Sequence, residues 1–331
     1  MSPGRAALGG VTVGDGLPVV AVGVVNLSPE SFHAGSVYTR DDDLLDATLG
    51  MVEAGAALID VGARSTAPYL DTEIDEADER DRLARAVELL TRKLPVPISA
   101  DTARAAPARA ALEAGARVIN DVSGLRDPAV AALVVEHRAS VILTATPDRG
   151  GSGGIGAGSA RPVPAASNAD VTTPWWSPTA IGQANADRVV ERPRPGPPGP
   201  TVDPIEHVMG LLGAALGRAR AAGIPEDRIV VDPGVGFFRH EAIPWDAWDS
   251  AVLAGLSALK QLGRPVCVGV SRKSFIGAIT GRRGPAERLA GSLAATAIAV
   301  QHGAAVIRTH DTAETLDAIR VAERLGRAGA P

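Results

Sequence analysis

The chain has 331 residues (33.8 kDa), of which 45% are hydrophobic, 21% charged and only 3% aromatic, so aliphatic side chains must build its core. A net charge of -5 supplies no basic field to hold nucleic acid or an anionic membrane surface. The single cysteine, Cys267, excludes an internal disulfide, residues 1–18 lack the charged-then-apolar pattern of a signal peptide, and no apolar run is long enough to span a bilayer; the expected setting is a reducing cytoplasm.

Residues 1–18 read as an N-terminal extension. From there, strands are predicted at 20–25, 57–61, 96–100, 116–119, 139–144, 228–232, 265–270 and 304–308. Helical patterns follow them at 42–54, 75–93, 105–114, 128–136, 204–222, 247–262, 285–301 and 313–326. The strand runs are continuously apolar rather than alternating, which marks strands buried on both faces, as in a parallel sheet. Eight βα units predict an α/β fold, a single-domain (β/α)8 TIM barrel over 19–327, because one barrel of roughly 250 residues plus an insertion accommodates the length. An open doubly wound sheet is the alternative, but NLSPESF follows the first strand where that fold expects a glycine-rich phosphate turn. One segment breaks the rhythm after the fifth strand. Residues 147–203 hold PDRGGSGGIGAGSA and ERPRPGPPGP, a composition that reads as a flexible loop, and Trp175 and Trp176 within it fit surface docking better than an active-site lid.

The informative pattern is polar. AVGVV runs into Asn26, ALIDVG into Arg64-Ser65-Thr66, VPISA into Asp101, ARVI into Asn120 and Asp121, IVV into Asp232, VCVGV into Ser271-Arg272-Lys273, and AAVI into Arg308 and His310. In a (β/α)8 barrel the C-terminal ends of the strands carry the active site, so these residues converge on one rim. Asp101, Asn120, Asp232 and Lys273 pair acceptors with donors in the manner needed by a flat heterocycle. Asn26, Thr66, Arg308 and His310 suit an anion, with an Asn carbonyl able to ligate a divalent ion. No Cys/His spacing for zinc occurs. Each residue has a plainer reading as a helix cap, an ion pair or a loop histidine. Capping does not explain why nearly every strand ends in a polar group while the opposite loops are Ala, Gly and Pro. Asp15, Asp127 and Asp311 are read as structural, and Cys267 as a small buried hydrophobe.

VGVVNLSPESFHAGS, DVGARSTAPY, ISADT, AGARVINDVSGL, VVDPGVGF, VGVSRKSFIG and VIRTHD, in that order over about residues 20–325, resemble the successive strand-end motifs of dihydropteroate synthases. The resemblance implies a transferase of folate biosynthesis that condenses 6-hydroxymethyl-7,8-dihydropterin pyrophosphate with p-aminobenzoate, releasing pyrophosphate with Mg2+ present. By motif, it implies Asn26 as the metal and pyrophosphate residue, Thr66, Arg308 and His310 as further pyrophosphate contacts, and Asp101, Asn120, Asp232 and Lys273 as the pterin pocket. Phe32, Pro68 and Ser271 fall where the family holds the arylamine. Asp101, Lys273, Arg308 and His310 are the residues implied to act in the reaction. A homodimer through the late, Ala-rich helices is also implied.

Two loops depart from the family pattern. GARSTAPYL places Arg64 where an acid is usual and Ala67 where a phosphate-contacting arginine is usual, and LTATPDRGG replaces a Met- or His-containing segment. The second loop is more similar to that of archaeal and methylotroph homologues linked to tetrahydromethanopterin, which implies a larger, ribosylated arylamine as a substrate alternative. Two further alternatives are a pterin-dependent methyltransferase barrel, which has no use for a pyrophosphate subsite, and a catalytically silent pterin-binding paralogue.

Overall fold

Eight parallel strands close on themselves in the computed structural model, which describes residues 4–27, 38, 40–64, 74–146, 202–237 and 243–328. Residues 147–201 of the predicted insertion, including both of its tryptophans, lie outside the described residues.

Two short strands precede the barrel, β1 (Arg5–Leu8) and β2 (Val11–Gly14), paired antiparallel around Gly9 and Gly10. Both glycines have positive φ, 60° and 100°, the backbone that a two-residue hairpin turn demands. The barrel strands are β3 (Val20–Asn26), β4 (Leu58–Gly62), β5 (Ile98–Asp101), β6 (Val118–Asp121), β7 (Ser140–Thr144), β8 (Ile229–Asp232), β9 (Val266–Gly269) and β10 (Ala304–Thr309), with β10 pairing back to β3. All eight predicted strands are present, shifted by one or two residues at their ends. The (β/α)8 barrel is therefore the fold.

The hairpin belongs to the core. Ala6, Leu8 and Val13 are fully buried against Val22, Leu58, Val118, Ile142, Val230, Cys267 and Val306, near the starts of the strands. Ser140, the first residue of β7, fixes the hairpin by donating from Oγ to the Ala7 carbonyl (2.6 Å) and accepting from the Gly9 N–H (3.1 Å). The hairpin thus plugs the N-terminal mouth of the barrel and leaves the opposite mouth for chemistry. Cys267 lies in this layer, fully buried, and burial pushes its thiol well above the ordinary range, so it is the packed hydrophobe expected.

The helices are α1 (Asp41–Ala54), α2 (Glu76–Lys93), α3 (Ala105–Glu113), α4 (Pro128–Glu136), α5 (Pro204–Ala221), α6 (Trp245–Ala254), α7 (Ser274–Thr280), α8 (Leu289–Gln301) and α9 (Thr312–Ala328). Asp75 and Asp127 cap α2 and α4 by accepting from Ala77 N–H and Ala129 N–H, which bears out the structural role of Asp127. Three helical segments differ from the sequence reading, the first being the start of the helix expected over 285–301, where Pro285–Arg288 winds as a 3-10 helix before α8. The helix expected over 247–262 stops at Gly255, and the remainder, Leu256–Leu262, winds as a tighter 3-10 helix. Helix α7, directly after Ser271-Arg272-Lys273, was not expected at all. No helix among the described residues is long and apolar enough to cross a membrane.

Candidate active site

The strand register sets the site. Parallel pairing places Asn26 beside Gly62, Gly62 beside Asp101 and Asp101 beside Asn120, and, two residues further along, Thr144 beside Asp232, so residues at or next to the strand ends surround the mouth. On the other side, Arg308 is level with Gly269 of β9.

A single guanidinium organises the inner site. Arg308 Nη2 donates to Asp60 Oδ2 (2.6 Å) and to Asp101 Oδ2 (3.2 Å), while Nη1 stands 4.0 Å from Asp232 Oδ2. Asn120 Nδ2 donates to the same Asp60 oxygen (3.0 Å). Asp232 Oδ1 accepts from the Gly234 N–H (2.8 Å). Burial works against the charge on Arg308, and Asp60 and Asp101 overcome it, so the guanidinium is held firmly charged. The carboxylates are strained in the opposite sense. Burial, then the adjacent charge of Asp60, raises Asp101 to about 7 despite Arg308. Burial likewise raises Asp232, with Arg308 and Lys273 pulling against it.

The acceptors outnumber the donors. Asp60 Oδ1, Asp101 Oδ1 and Asn120 Oδ1 are buried, and among the described residues no donor reaches any of them. Because Asn120 gives its amide N–H to Asp60, its carbonyl oxygen is committed to the pocket. Groups left in this state are costly to bury, which is the mark of a pocket shaped for a ligand that carries N–H groups.

Lys273 closes one side. Its Nζ donates to the Val235 carbonyl and lies 4.6 Å from the centre of the Phe237 ring. Gly236 (φ 84°) makes this approach feasible, since a Cβ at that position would fall 2.9 Å from Lys273 Cδ. On the far side of the same segment, Ser271 Oγ is 2.9 Å from His310 Nδ1.

A second cluster stands beside the mouth. Glu79 of α2, fully buried, accepts from Thr102 Oγ1 (2.6 Å) and from Arg104 Nη1 (3.1 Å), with Arg64 Nε 4.0 Å away. Arg64, the residue that replaces the family's usual acid, is thus drawn toward a carboxylate behind the rim, and its charge is still felt at Asp101.

Of the residues singled out from sequence, Asp101, Asn120, Asp232 and Arg308 meet around one centre, Lys273 flanks it, and Ser271 pairs with His310. Asn26 ends β3 with its Oδ1 at the position where a Cβ on Gly62 would approach to 3.4 Å. Thr66, Phe32 and Pro68 lie outside the described residues. Asp121 serves its own loop, accepting from the Ser123 and Leu125 N–H groups (2.7 and 3.1 Å). Sequence reasoning missed Asp60. It sits inside the apolar run of β4 rather than at its end, and an acid within a strand buried on both faces was the available signal.

Among the described residues, no group of three or more His, Cys, Asp or Glu side chains gathers as a metal site. The cation among Asp60, Asp101 and Asp232 is Arg308. Asn26, with one amide oxygen, fits only a hard ion that brings most of its ligands with it, as Mg2+ does when bound to a diphosphate.

A family model described as pterin binding enzyme matches residues 22–310. The dihydropteroate synthase of Mycobacterium leprae is 33% identical over 310 residues, 92% of this chain and 92% of that one. The chain belongs to the dihydropteroate synthase family. A probable bifunctional folylpolyglutamate synthase/dihydropteroate synthase of Haloferax volcanii is 33% identical over 308 residues, which is 93% of this chain and 30% of that relative. The chain therefore spans about a third of the length of such a two-function relative. Among solved structures, the Xanthomonas albilineans dihydropteroate synthase with 4-aminobenzoic acid superposes with a TM-score of 0.74 at 30% identity, covering 100% of both chains. The same enzyme in complex with 7,8-dihydropteroate gives 0.71 at 30% identity, covering 99% of this chain and 100% of that one.

Proposed function

We propose that this chain is a dihydropteroate synthase, a transferase that joins 6-hydroxymethyl-7,8-dihydropterin pyrophosphate to p-aminobenzoate. The observation that carries this reading is the trio of buried acceptors, Asp60 Oδ1, Asp101 Oδ1 and Asn120 Oδ1, set around one guanidinium with Asp232 and Lys273 beside them. A pterin offers a matching edge of ring N–H and amino groups to the acceptors and a ring carbonyl to Lys273.

In the reaction, the C–O bond between the pterin methylene and the diphosphate breaks, and its electron pair leaves on oxygen. The resulting cation is spread over the pterin ring, where the Asp101 carboxylate stabilises it. The arylamine nitrogen forms the new C–N bond and gives up its proton to solvent. His310, with Thr66, holds the diphosphate by donation rather than by acting as an acid. Ser271, Phe32 and Pro68 hold the arylamine. Arg308 serves both halves: it balances Asp60 and Asp101 and lends positive charge to the departing diphosphate. Asn26 is the residue that would hold Mg2+, which would supply further neutralisation of that charge.

Finer features belong to the same reading. The second loop, with Arg64 drawn toward Glu79 and Ala67 small, favours a larger arylamine of the tetrahydromethanopterin-linked kind as the second candidate substrate. The exposed apolar side chains Ile279 on α7, Ile298 on α8, and Val321 and Leu325 on α9, each at least half exposed, favour a homodimer through these helices. The barrel over 19–327, with 147–203 as an insertion, is the expected cytoplasmic unit.

The reading is tested by supplying purified protein with the pterin pyrophosphate, Mg2+ and either p-aminobenzoate or a ribosylated aminobenzene, then measuring released pyrophosphate and the product mass. Stoichiometric pyrophosphate is expected, with a product mass equal to pterin pyrophosphate plus arylamine minus pyrophosphoric acid. Binding without release points to a silent paralogue. Methyl transfer from a methylated pterin would replace the reading with the methyltransferase one.

A further inference from the structure

Strand β9 ends at Gly269, and within four residues the chain delivers two side chains to different places. Ser271 Oγ meets His310 Nδ1 at 2.9 Å, whereas Lys273 reaches the Val235 carbonyl and the Phe237 ring. An extended segment would put residues 271 and 273 on the same face, because side chains alternate with a period of two. Arg272 breaks that alternation with φ 56°, in the left-handed region that residues other than glycine seldom adopt.

Arg272 is held there from every direction. Its Nε donates to Asp311 Oδ2 (2.9 Å) and its Nη2 to Asp311 Oδ1 (2.6 Å), a two-pronged ion pair whose partners are 11% and 14% exposed. Its Nη1 donates to the carbonyls of Pro285 and Ala286 (3.1 and 3.0 Å). Its backbone N–H donates to Ser292 Oγ (2.8 Å), and its carbonyl accepts from Arg288 Nη1 (3.0 Å). A left-handed arginine persists only where its surroundings over-determine it, and Asp311 supplies the sole carboxylate among these contacts.

We propose that Asp311 is a positioning residue of the active site: its carboxylate clamps Arg272 in the left-handed conformation that turns Ser271 toward His310 and Lys273 toward the Val235 carbonyl and the Phe237 ring. The inference rests on the reading of Ser271 as an arylamine contact and Lys273 as a pterin contact. Asp311 touches neither substrate; its strong contacts are the two to Arg272 across the β9–β10 ends, and Ser271 Oγ donates to its Oδ2 only at the 3.5 Å limit of a hydrogen bond, so its hold on the segment is exerted mainly through Arg272.

Glycine takes a positive φ at no steric cost, so a chain with glycine at this position needs no clamp. The test is a double-mutant cycle of Asp311→Asn and Arg272→Gly, read by steady-state kinetics and by crystal structures. Asp311→Asn alone is expected to raise the KM for both substrates roughly tenfold, the effect of releasing one strained backbone residue. In the Arg272→Gly background the same change is expected to have little additional effect. In the crystal, Asp311→Asn should move residue 272 out of the left-handed region and open the Ser271–His310 contact. Arg272→Asn, another residue that tolerates left-handed backbone, repeats the cycle should the glycine variant not fold. Equal damage by Asp311→Asn in both backgrounds, or an unchanged backbone at 272, would overturn the proposal. The crystal arm decides it without turnover, and absence of pyrophosphate release by the unmodified protein would instead count against the proposed activity.

Discussion

Arg308→Met is expected to be the most damaging single change in the barrel. Among the described residues, the guanidinium is the positive charge in direct contact with both Asp60 and Asp101, and it stands 4.0 Å from Asp232. Removing one member of a buried ion network leaves the others uncompensated, at a cost of about 3–5 kcal/mol. The loss depends on pH, with a definite sign. Burial raises Asp101 and Asp232, and Arg308 is what pulls against it; without the arginine these two native carboxyls hold protons that the unfolded chain releases, so the native state binds more protons and stability falls as pH rises. Chemical denaturation of Arg308→Met should therefore show a larger deficit at pH 8 than at pH 5. A deficit independent of pH would mean that the arginine acts mainly by packing. Activity should fall as well, because the same group lends charge to the leaving diphosphate, and Arg308→Lys, which keeps the charge without the fork, should recover only part of it.

Asp101→Asn should do something less usual and stabilise the free protein while disabling it. Burial and the adjacent Asp60 raise Asp101 to about 7, against an unfolded carboxyl near 3.8. A carboxyl whose folded pKa is raised keeps its proton longer in the native state, so its contribution erodes stability as pH climbs from about 4 to 7 and is constant above. Asparagine carries no such cost. The expected gain at pH 8 is about 1–3 kcal/mol, below the full value of the shift because Asp101 faces the mouth and gives up its contact with Arg308; at pH 4 no gain is expected. In the same variant, kcat should drop on the order of a hundredfold or more, the usual effect of deleting a preorganised electrostatic contact to a transition state. In the unmodified protein, kcat/KM should rise with pH through about 7 as Asp101 ionises, and Asp101→Asn should lack that limb. A variant that is destabilised equally at pH 4 and 8, or that keeps the limb, would refute the assignment of Asp101 as the buried, charge-stabilising carboxylate.

Much of this site is legible in the sequence for a simple reason. A parallel strand buried on both faces tolerates no polar residue except where the chain leaves the barrel, so Asp101, Asn120 and Asp232 announce both the ends of their strands and the rim of the site. What escapes is what breaks that rule. Asp60 lies two residues inside β4, where an apolar run hides it, and its meaning depends on Arg308 reaching it from 248 positions away. The hairpin was read as an extension because each of its strands has four residues, although Gly9-Gly10 between two short apolar segments carries the turn chemistry. Helix α7 is only seven residues long and begins inside a motif that draws the eye for chemistry, so periodicity has little to act on. Asp311 was read as structural, and its partner Arg272 is its neighbour only once β9 and β10 are paired. Local patterns report burial; pairings between distant segments require the register of the closed sheet.

The most direct test is a crystal structure of the protein with 6-hydroxymethyl-7,8-dihydropterin pyrophosphate bound. The pterin edge should lie within hydrogen-bonding distance of Asp101 Oδ1, Asn120 Oδ1 and Asp232, with Lys273 on the ring carbonyl and the diphosphate toward Arg308, His310 and Asn26. A pterin found outside the C-terminal mouth, with the Asp60–Arg308–Asp101 contacts undisturbed and those acceptor oxygens still without a donor, would contradict the account.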